Sequence, residues 1–196
     1  MTYTELKTLI ADTLNRQDLD SVIPSFIEMA ESDFNRQLNH WKMEKRADTT
    51  FNDRFHTLPN DFLEMYRIHL STGERLSLIS VDDMQKMRPI ESNKPTYYAI
   101  VAGELELFPT PNEDYPAEVY YKGKLPKLSV ESNFIAEDYP DLYLYGSLMH
   151  SAPYLKEDER IGVWAGLYQQ ALASLNAQSG RAKFSGTGLT MKKRGY

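Results

Sequence analysis

Ile23-Pro24-Ser25-Phe26-Ile27-Glu28-Met29-Ala30-Glu31-Ser32-Asp33-Phe34-Asn35-Arg36-Gln37-Leu38 is the stretch that decides how this chain is read. Ile23, Phe26, Ile27, Ala30, Phe34 and Leu38, continued by Trp41, recur at the three- and four-residue spacing that keeps one face of an α-helix apolar over about five turns. Asp18-Leu19-Asp20-Ser21 just before it is a polar stop with a cap, and Pro24 falls in the first turn, where its missing N–H does no harm. Upstream, Leu6, Leu9, Ile10 and Leu14 share the spacing and predict a shorter helix from about Tyr3 to Leu14.

Downstream the helical period fails between Thr49 and Pro59, and Leu58-Pro59-Asn60-Asp61-Phe62 reads as an extended approach followed by a turn, because proline biases the residue before it away from helix. Beyond the turn, Met65 to Leu70, Arg75 to Val81, Thr96 to Val101, Glu104 to Phe108 and Ala117 to Lys122 are short runs rich in β-branched and aromatic residues, which predicts strands. Ala102-Gly103 separates two of them at hairpin spacing, and no crossover helix divides the later strands, so the sheet is expected to be antiparallel. In Tyr97-Tyr98 and Tyr120-Tyr121, neighbouring side chains point to opposite faces of a strand, so one of each pair can join a core while the other meets solvent or a partner.

Helix returns at Asp138-Tyr139-Pro140, with proline at the first helical position and a stripe of Leu142, Tyr145, Met149 and Ala152. A last helix is expected to start in Glu157-Asp158-Glu159, three acids at the positive end of the helix dipole, and to carry Ile161, Trp164, Leu167, Tyr168, Ala171 and Leu175 on one side. Trp164, Leu167, Ala171 and Leu175 are expected to pack against Phe26, Ala30 and Phe34. From Ser179 to Tyr196 almost nothing remains to bury, which predicts a flexible tail. The fold class is therefore α+β, mainly α. N- and C-terminal helices (1–48 and 136–178) form a bundle, an antiparallel β-rich insertion spans about 58–130, and an extended tail covers 179–196.

Composition narrows the function. The chain has 196 residues and no cysteine, which removes a disulfide scaffold, a zinc–thiolate site and a thiol nucleophile. Met1-Thr2-Tyr3-Thr4-Glu5 lacks the basic region and apolar stretch of a secretory leader, and no apolar run is long enough to span a bilayer. Charge is uneven: after Glu159 there is no acid but six bases, so this stretch carries +6, whereas residues 1–159 carry −12. A body that acidic repels nucleic acid, for which phosphate attraction is the main source of affinity. The basic C-terminus is suited to an acidic partner or a phosphate.

Motifs of catalysis are scarce. His40, His56, His69 and His150 form no His-x-x-x-His or Glu-x-x-His spacing, so no metal or other cofactor is expected. The phosphate-cradling glycine loop and the Gly-x-Ser-x-Gly elbow are missing. Gly162 and Gly166 predict close helix packing. Glu28 with Glu31, and Asp61 with Glu64, share helical spacing and are the carboxylate pairs a glycan hydrolase would use; a solvated helix face is the plainer reading.

Leu19 to Leu38, the Leu58-Pro59-Asn60-Asp61-Phe62 turn, the Tyr139-Pro140-Asp141-Leu142-Tyr143-Leu144-Tyr145-Gly146-Ser147-Leu148 helix, and Lys156-Glu157-Asp158-Glu159-Arg160 with Trp164 occur in the same order in a known family. Together they resemble the head-to-tail adaptor proteins of short-tailed bacteriophages, over most of residues 1–178. The resemblance implies a single adaptor domain over 1–178 and a virion protein at the head–tail junction, assembled in the host cytoplasm. It also implies a ring of twelve under the portal protein, a surface that receives a tail nozzle or tail hub protein, and DNA as a non-specific passenger, with no membrane contact. The tail is the portal-docking part, which makes Arg181, Lys183, Phe184, Leu189, Lys192, Lys193, Arg194 and Tyr196 the expected contact residues; no catalytic or metal residue is carried over. Besides a related connector or tail-tube component, the competing classes are a tail-associated glycan hydrolase and a nucleic-acid-binding module.

Overall fold

The computed structural model describes residues 1–87, 91–155 and 159–184. Among these, six α-helices and seven strands occur in the order α1 (Tyr3–Leu14), α2 (Ile23–Gln37), β1 (Glu44–Phe51), β2 (Phe55–Thr57), β3 (Phe62–Leu70), β4 (Ser77–Leu78), α3 (Val81–Lys86), β5 (Tyr97–Val101), β6 (Glu104–Phe108), β7 (Tyr115–Gly123), α4 (Phe134–Asp138), α5 (Pro140–His150) and α6 (Arg160–Phe184). The fold class is α+β with helix predominating. The chain divides into two compact units, one built from Met1–Lys42 and the residues from Leu125 onward, the other from Met43–Lys124.

In the helical unit α5 is the central element, in contact with α1, α2, α4 and α6. Its enclosure explains why Leu142, Tyr143, Gly146, Ser147 and Leu148 are buried around most of its circumference, whereas Tyr145 and Met149 of the expected stripe are half-buried. Tyr139 precedes Pro140 at the first helical position, as the sequence predicts. Helix α1 starts in a capping box: the Thr2 hydroxyl accepts from the Glu5 N–H, and the Glu5 carboxylate accepts from the Thr2 N–H.

Helix α2 stops at Gln37, one turn before Trp41, and no side chain caps its start, so the cap expected around Ser21 is not made. Trp41 lies instead in a 3-10 turn, Trp41–Met43, that leads straight into β1. Residues 44–48, expected to be helical, are therefore strand. The contact of α6 with its neighbours also differs from expectation. Leu167 is exposed and Ala171 half-buried, while Trp164, Tyr168, Leu172 and Leu175 are buried. Trp164, Tyr168 and Leu175 are thus inward as expected; Leu167 and Ala171 border that stripe on one side and Leu172 on the other, and the spacing alone cannot choose between these borders. Phe34 sits edge-on to Tyr143 at 4.9 Å and stacks on Tyr168 at 6.3 Å, and Phe26 meets Tyr154 at 5.2 Å.

The β unit holds two sheets, β1-β7-β3 and β2-β6-β5-β4. Every pairing is antiparallel except β4 with β5, where Ser77 and Leu78 run parallel to Tyr97 and Tyr98. The expected strand over Arg75–Val81 shrinks to two residues, because Ser80 caps α3 by accepting from the Asp83 N–H. Strands β1 and β2 escape the period test: β1 is an edge strand whose Glu44, Lys45, Arg46 and Asp48 carry charge, which blunts an open edge but hides its alternation. Phe51, Ile68, Leu105, Leu107, Val119 and Tyr121 lie in a core fed by both sheets. Tyr98 and Tyr121 are buried while Tyr97 and Tyr120 are half-buried, which is the alternation the paired tyrosines predict. Ala102 and Gly103 turn the β5–β6 hairpin with φ of 51° and 84°, the left-handed pair that a two-residue turn requires.

Candidate functional site

The carboxylates come first, since they carry the catalytic alternative. Glu31 is buried on α2, and one of its oxygens accepts from the Leu128 N–H at 2.7 Å and from the Tyr143 hydroxyl at 3.2 Å. Burial pushes its carboxyl above the ordinary range, against the pull of those two donors. Asn35, one turn on, accepts from the Leu125 N–H at 2.9 Å, and exposed Glu28 pairs with Lys127 at 2.8 Å. Glu28, Glu31 and Asn35 thus fasten residues 125–128 to α2.

Asp61 lies in the turn just before β3. Its carboxylate takes Lys45 at 2.5 Å and the Tyr121 hydroxyl at 3.2 Å, while its carbonyl accepts from the Lys124 N–H at 2.6 Å. Burial raises this carboxyl, but Lys45 and Tyr121 outweigh it and hold it below the usual range. A Cβ on Gly123 would stand 2.8 Å from the Asp61 carboxylate, so only glycine allows this approach. Glu64 is exposed and reaches Lys122 at 3.6 Å. In each pair the acids are tied to separate donors and fasten loops or strands. Among the described residues no group of three His, Asp or Glu side chains could hold a metal ion, and no helix is long and apolar enough to cross a membrane.

The C-terminal end of α6 is where the expected contact residues begin. Asn176 accepts from the Asn39 N–H at 2.8 Å and donates to the Gln37 carbonyl at 3.3 Å, Gln178 accepts from the Tyr139 hydroxyl at 2.8 Å, and Ser179 accepts from the Trp41 N–H at 2.9 Å. Asn176 and Ser179 thus meet backbone groups at and just past the end of α2, while Gln178 holds the Tyr139 hydroxyl. Ser179 is buried, and the helix runs on to Phe184, so the segment expected as tail from 179 is helical through 184. The spacing of Leu172, Leu175 and Ser179 continues the buried stripe; a small polar residue in that slot was the signal to read. Arg181 and Lys183 are exposed on the last turn, where cations also complement the helix dipole. Phe184 closes the helix. Its side chain, with Leu189, Lys192, Lys193, Arg194 and Tyr196, lies outside the described residues, as do Lys156, Glu157 and Asp158 of the expected helix start.

Sequence reasoning missed what stands beside that last turn. Trp41 is 44% exposed, its ring tilted against His40 at 5.6 Å. Buried His40 stacks on Phe134 at 4.8 Å and meets Tyr139 edge-on at 6.2 Å, and its Nδ1 accepts from the Lys42 N–H at 3.3 Å. Burial, with Lys42 and Lys183 nearby, holds the imidazole below its ordinary pKa despite Asp138. Lys42 closes the group through an ion pair with Asp138 at 2.6 Å.

The second feature is the outward side of α6. Gly162, Val163, Gly166, Leu167, Gln170, Ala173, Ser174 and Ala177 are all exposed, and there is no charged residue from Ile161 to Gly180. A Cβ on Gly162 or Gly166 would meet nothing within 4 Å, so the close packing expected of these glycines is not made among the described residues. No curated protein matches the chain. Residues 1–191 match the family model described as SU10 adaptor protein, nearly the whole length, in agreement with the resemblance to phage head-to-tail adaptors. The chain belongs to the SU10 adaptor protein family.

Proposed function

We propose that this protein assembles as a ring, of twelve subunits by the resemblance, at the head–tail junction of a virion. The ring docks on the portal protein and receives a tail nozzle or tail hub protein, and it assembles in the host cytoplasm. The observation that carries this reading is the outward face of α6: uncharged over about five turns, exposed at Val163, and open in front of Gly162 and Gly166. Each interior glycine costs a helix about 1 kcal/mol relative to alanine, and no described residue packs against Gly162 or Gly166 to offset it. A neighbouring subunit packed closely against these positions does so. A ring needs a heterologous interface, in which this face meets a different face of the next copy and the rotation closes.

The basic C-terminal segment serves the portal: Arg181 and Lys183, with Phe184, Leu189, Lys192, Lys193, Arg194 and Tyr196, supply cations and apolar groups for an acidic partner. Residues 1–159, at −12, let DNA pass through a channel as a non-specific passenger rather than hold it. The role is structural, not enzymatic. Native mass measurement of the protein alone and mixed with its portal ring tests the reading. A closed ring and a stoichiometric complex are expected; a monomer that ignores the portal refutes it, and cleavage of purified cell wall abolished by Glu31→Ala would restore the hydrolase.

A further inference from the structure

The portal reading assigns docking to the C-terminal segment; the structure marks a second contact on the folded part. We propose that Trp41 is an apolar anchor for an acidic surface of the portal, set beside the basic last turn of α6, so that docking engages the helical unit as well as the C-terminal segment. This rests on the portal reading above.

A lone exposed apolar side chain carries little meaning. Trp41 differs in being held in place. Its backbone N–H is bonded to Ser179, its ring lies against His40, and the Lys42 ammonium stands 5.8 Å from the ring centre. His40 is in turn fixed by Phe134 and Tyr139. An aromatic side chain already held in place loses little freedom on binding, and tryptophan and arginine are the residues on which interfaces most depend.

Charge complementarity selects the occupant. The acid in this cluster, Asp138, is paired with Lys42 at 2.6 Å. Arg181 and Lys183 lie two and four residues beyond Ser179, the residue that touches Trp41, and Lys183 stands near enough to His40 to bear on its charge. The patch therefore fits a protein surface that offers carboxylates around an apolar recess. Duplex DNA would also meet the cations, but it has no recess for an indole, and residues 1–159 at −12 oppose it.

The test uses the full-length protein and the portal ring of the same phage. Trp41→Ala should bind the ring about 30-fold more weakly, the loss expected of a central anchor. Trp41 and Trp164 are the chain's two tryptophans, and Trp164 is buried, so in Trp164→Phe labelled with 5-hydroxytryptophan and excited to the red of ordinary indole, the fluorescence reports Trp41 alone even beside unlabelled portal. Portal binding should then shield it from acrylamide, a readout that leaves Trp41 itself intact. Unchanged affinity of Trp41→Ala, or unchanged acrylamide access in the complex, overturns the anchor. If removal of residues 185–196 still weakens binding in that case, the portal reading stands without it. Failure of the wild-type protein to bind the ring overturns both, and loss of duplex-DNA binding at physiological salt in Trp41→Ala would reassign the patch to nucleic acid.

Discussion

Helices α2 and α6 both lie against α5, and they spend their remaining surface differently. On α2 the charged side chains and Asn35 have partners in the chain: Glu28 pairs with Lys127, Glu31 and Asn35 hold residues 125–128, and buried Asp33 takes His150 at 2.8 Å and Arg36. On α6 the outward side has glycines, alanines, glutamines, Val163 and Leu167, with no ion pair between Ile161 and Gly180 because no charge is there to make one. One helix spends its charges inside its own chain, with Met29 left exposed. The other leaves an uncharged face exposed, and the difference is what makes that face the proposed assembly contact.

The comparison breaks most visibly in the core the two helices share. Phe34→Ala, which removes a fully buried ring from both Tyr143 and Tyr168, should cost about 3–5 kcal/mol in urea unfolding, and Trp164→Ala a similar amount. A loss below about 1 kcal/mol would place either residue outside the core.

Two glycines sharpen it further. A Cβ on Gly146 of α5 would stand 3.3 Å from Ala30 and from the fully buried Tyr168 ring, so Gly146→Ala should destabilise by about 1–3 kcal/mol. Gly166→Ala, facing open space, should instead stabilise the isolated subunit by up to about 1 kcal/mol while weakening ring formation in native mass spectra. Improved stability with unaltered assembly would remove α6 from the subunit interface.

Glu31 gives a pH-dependent test. Glu31→Ala leaves the Leu128 N–H and the Tyr143 hydroxyl without their acceptor and should cost about 1–3 kcal/mol. Glu31→Gln keeps an acceptor and should cost less. Because burial raises this carboxyl in the folded state, the folded protein binds its proton more tightly than the unfolded chain. Its contribution is then fully present below the ordinary glutamate range and is lost as pH rises through the elevated value. The stability difference between wild type and Glu31→Gln should therefore move in favour of Gln as pH rises across that window. A pH-independent difference would show that Glu31 titrates as an exposed acid.

Much of the architecture was legible in residue spacing. The apolar positions of α1 and α2, Pro140 at the start of α5, the Ala102-Gly103 hairpin and the alternation within each tyrosine pair follow from periods of 3.6 and 2 and from the φ restrictions of proline and turn residues. Strand β1 was hidden because its edge charges mask alternation, and Trp41 was drawn into α2 because it fits the period one turn after the helix has ended.

What the sequence determined by itself was the fold class, the charge division and the family, since these depend on local periodicity, composition and the order of motifs. On α6 the spacing placed Trp164, Tyr168 and Leu175 on the inward side, and tertiary structure alone decided that Leu172 joins them while Leu167 turns out. With no charge between Ile161 and Gly180 to mark a solvent side, the edges of the stripe were set by the fit of Tyr168 against Phe34 and Gly146, which turns Leu172 in rather than Leu167. The same holds for Glu31, whose burial rests on a backbone N–H 97 residues away, and for Trp41, placed beside the basic turn by a hydrogen bond to Ser179 across 138 residues. Contacts of that sequence separation have no period to announce them; they exist only once the chain has closed.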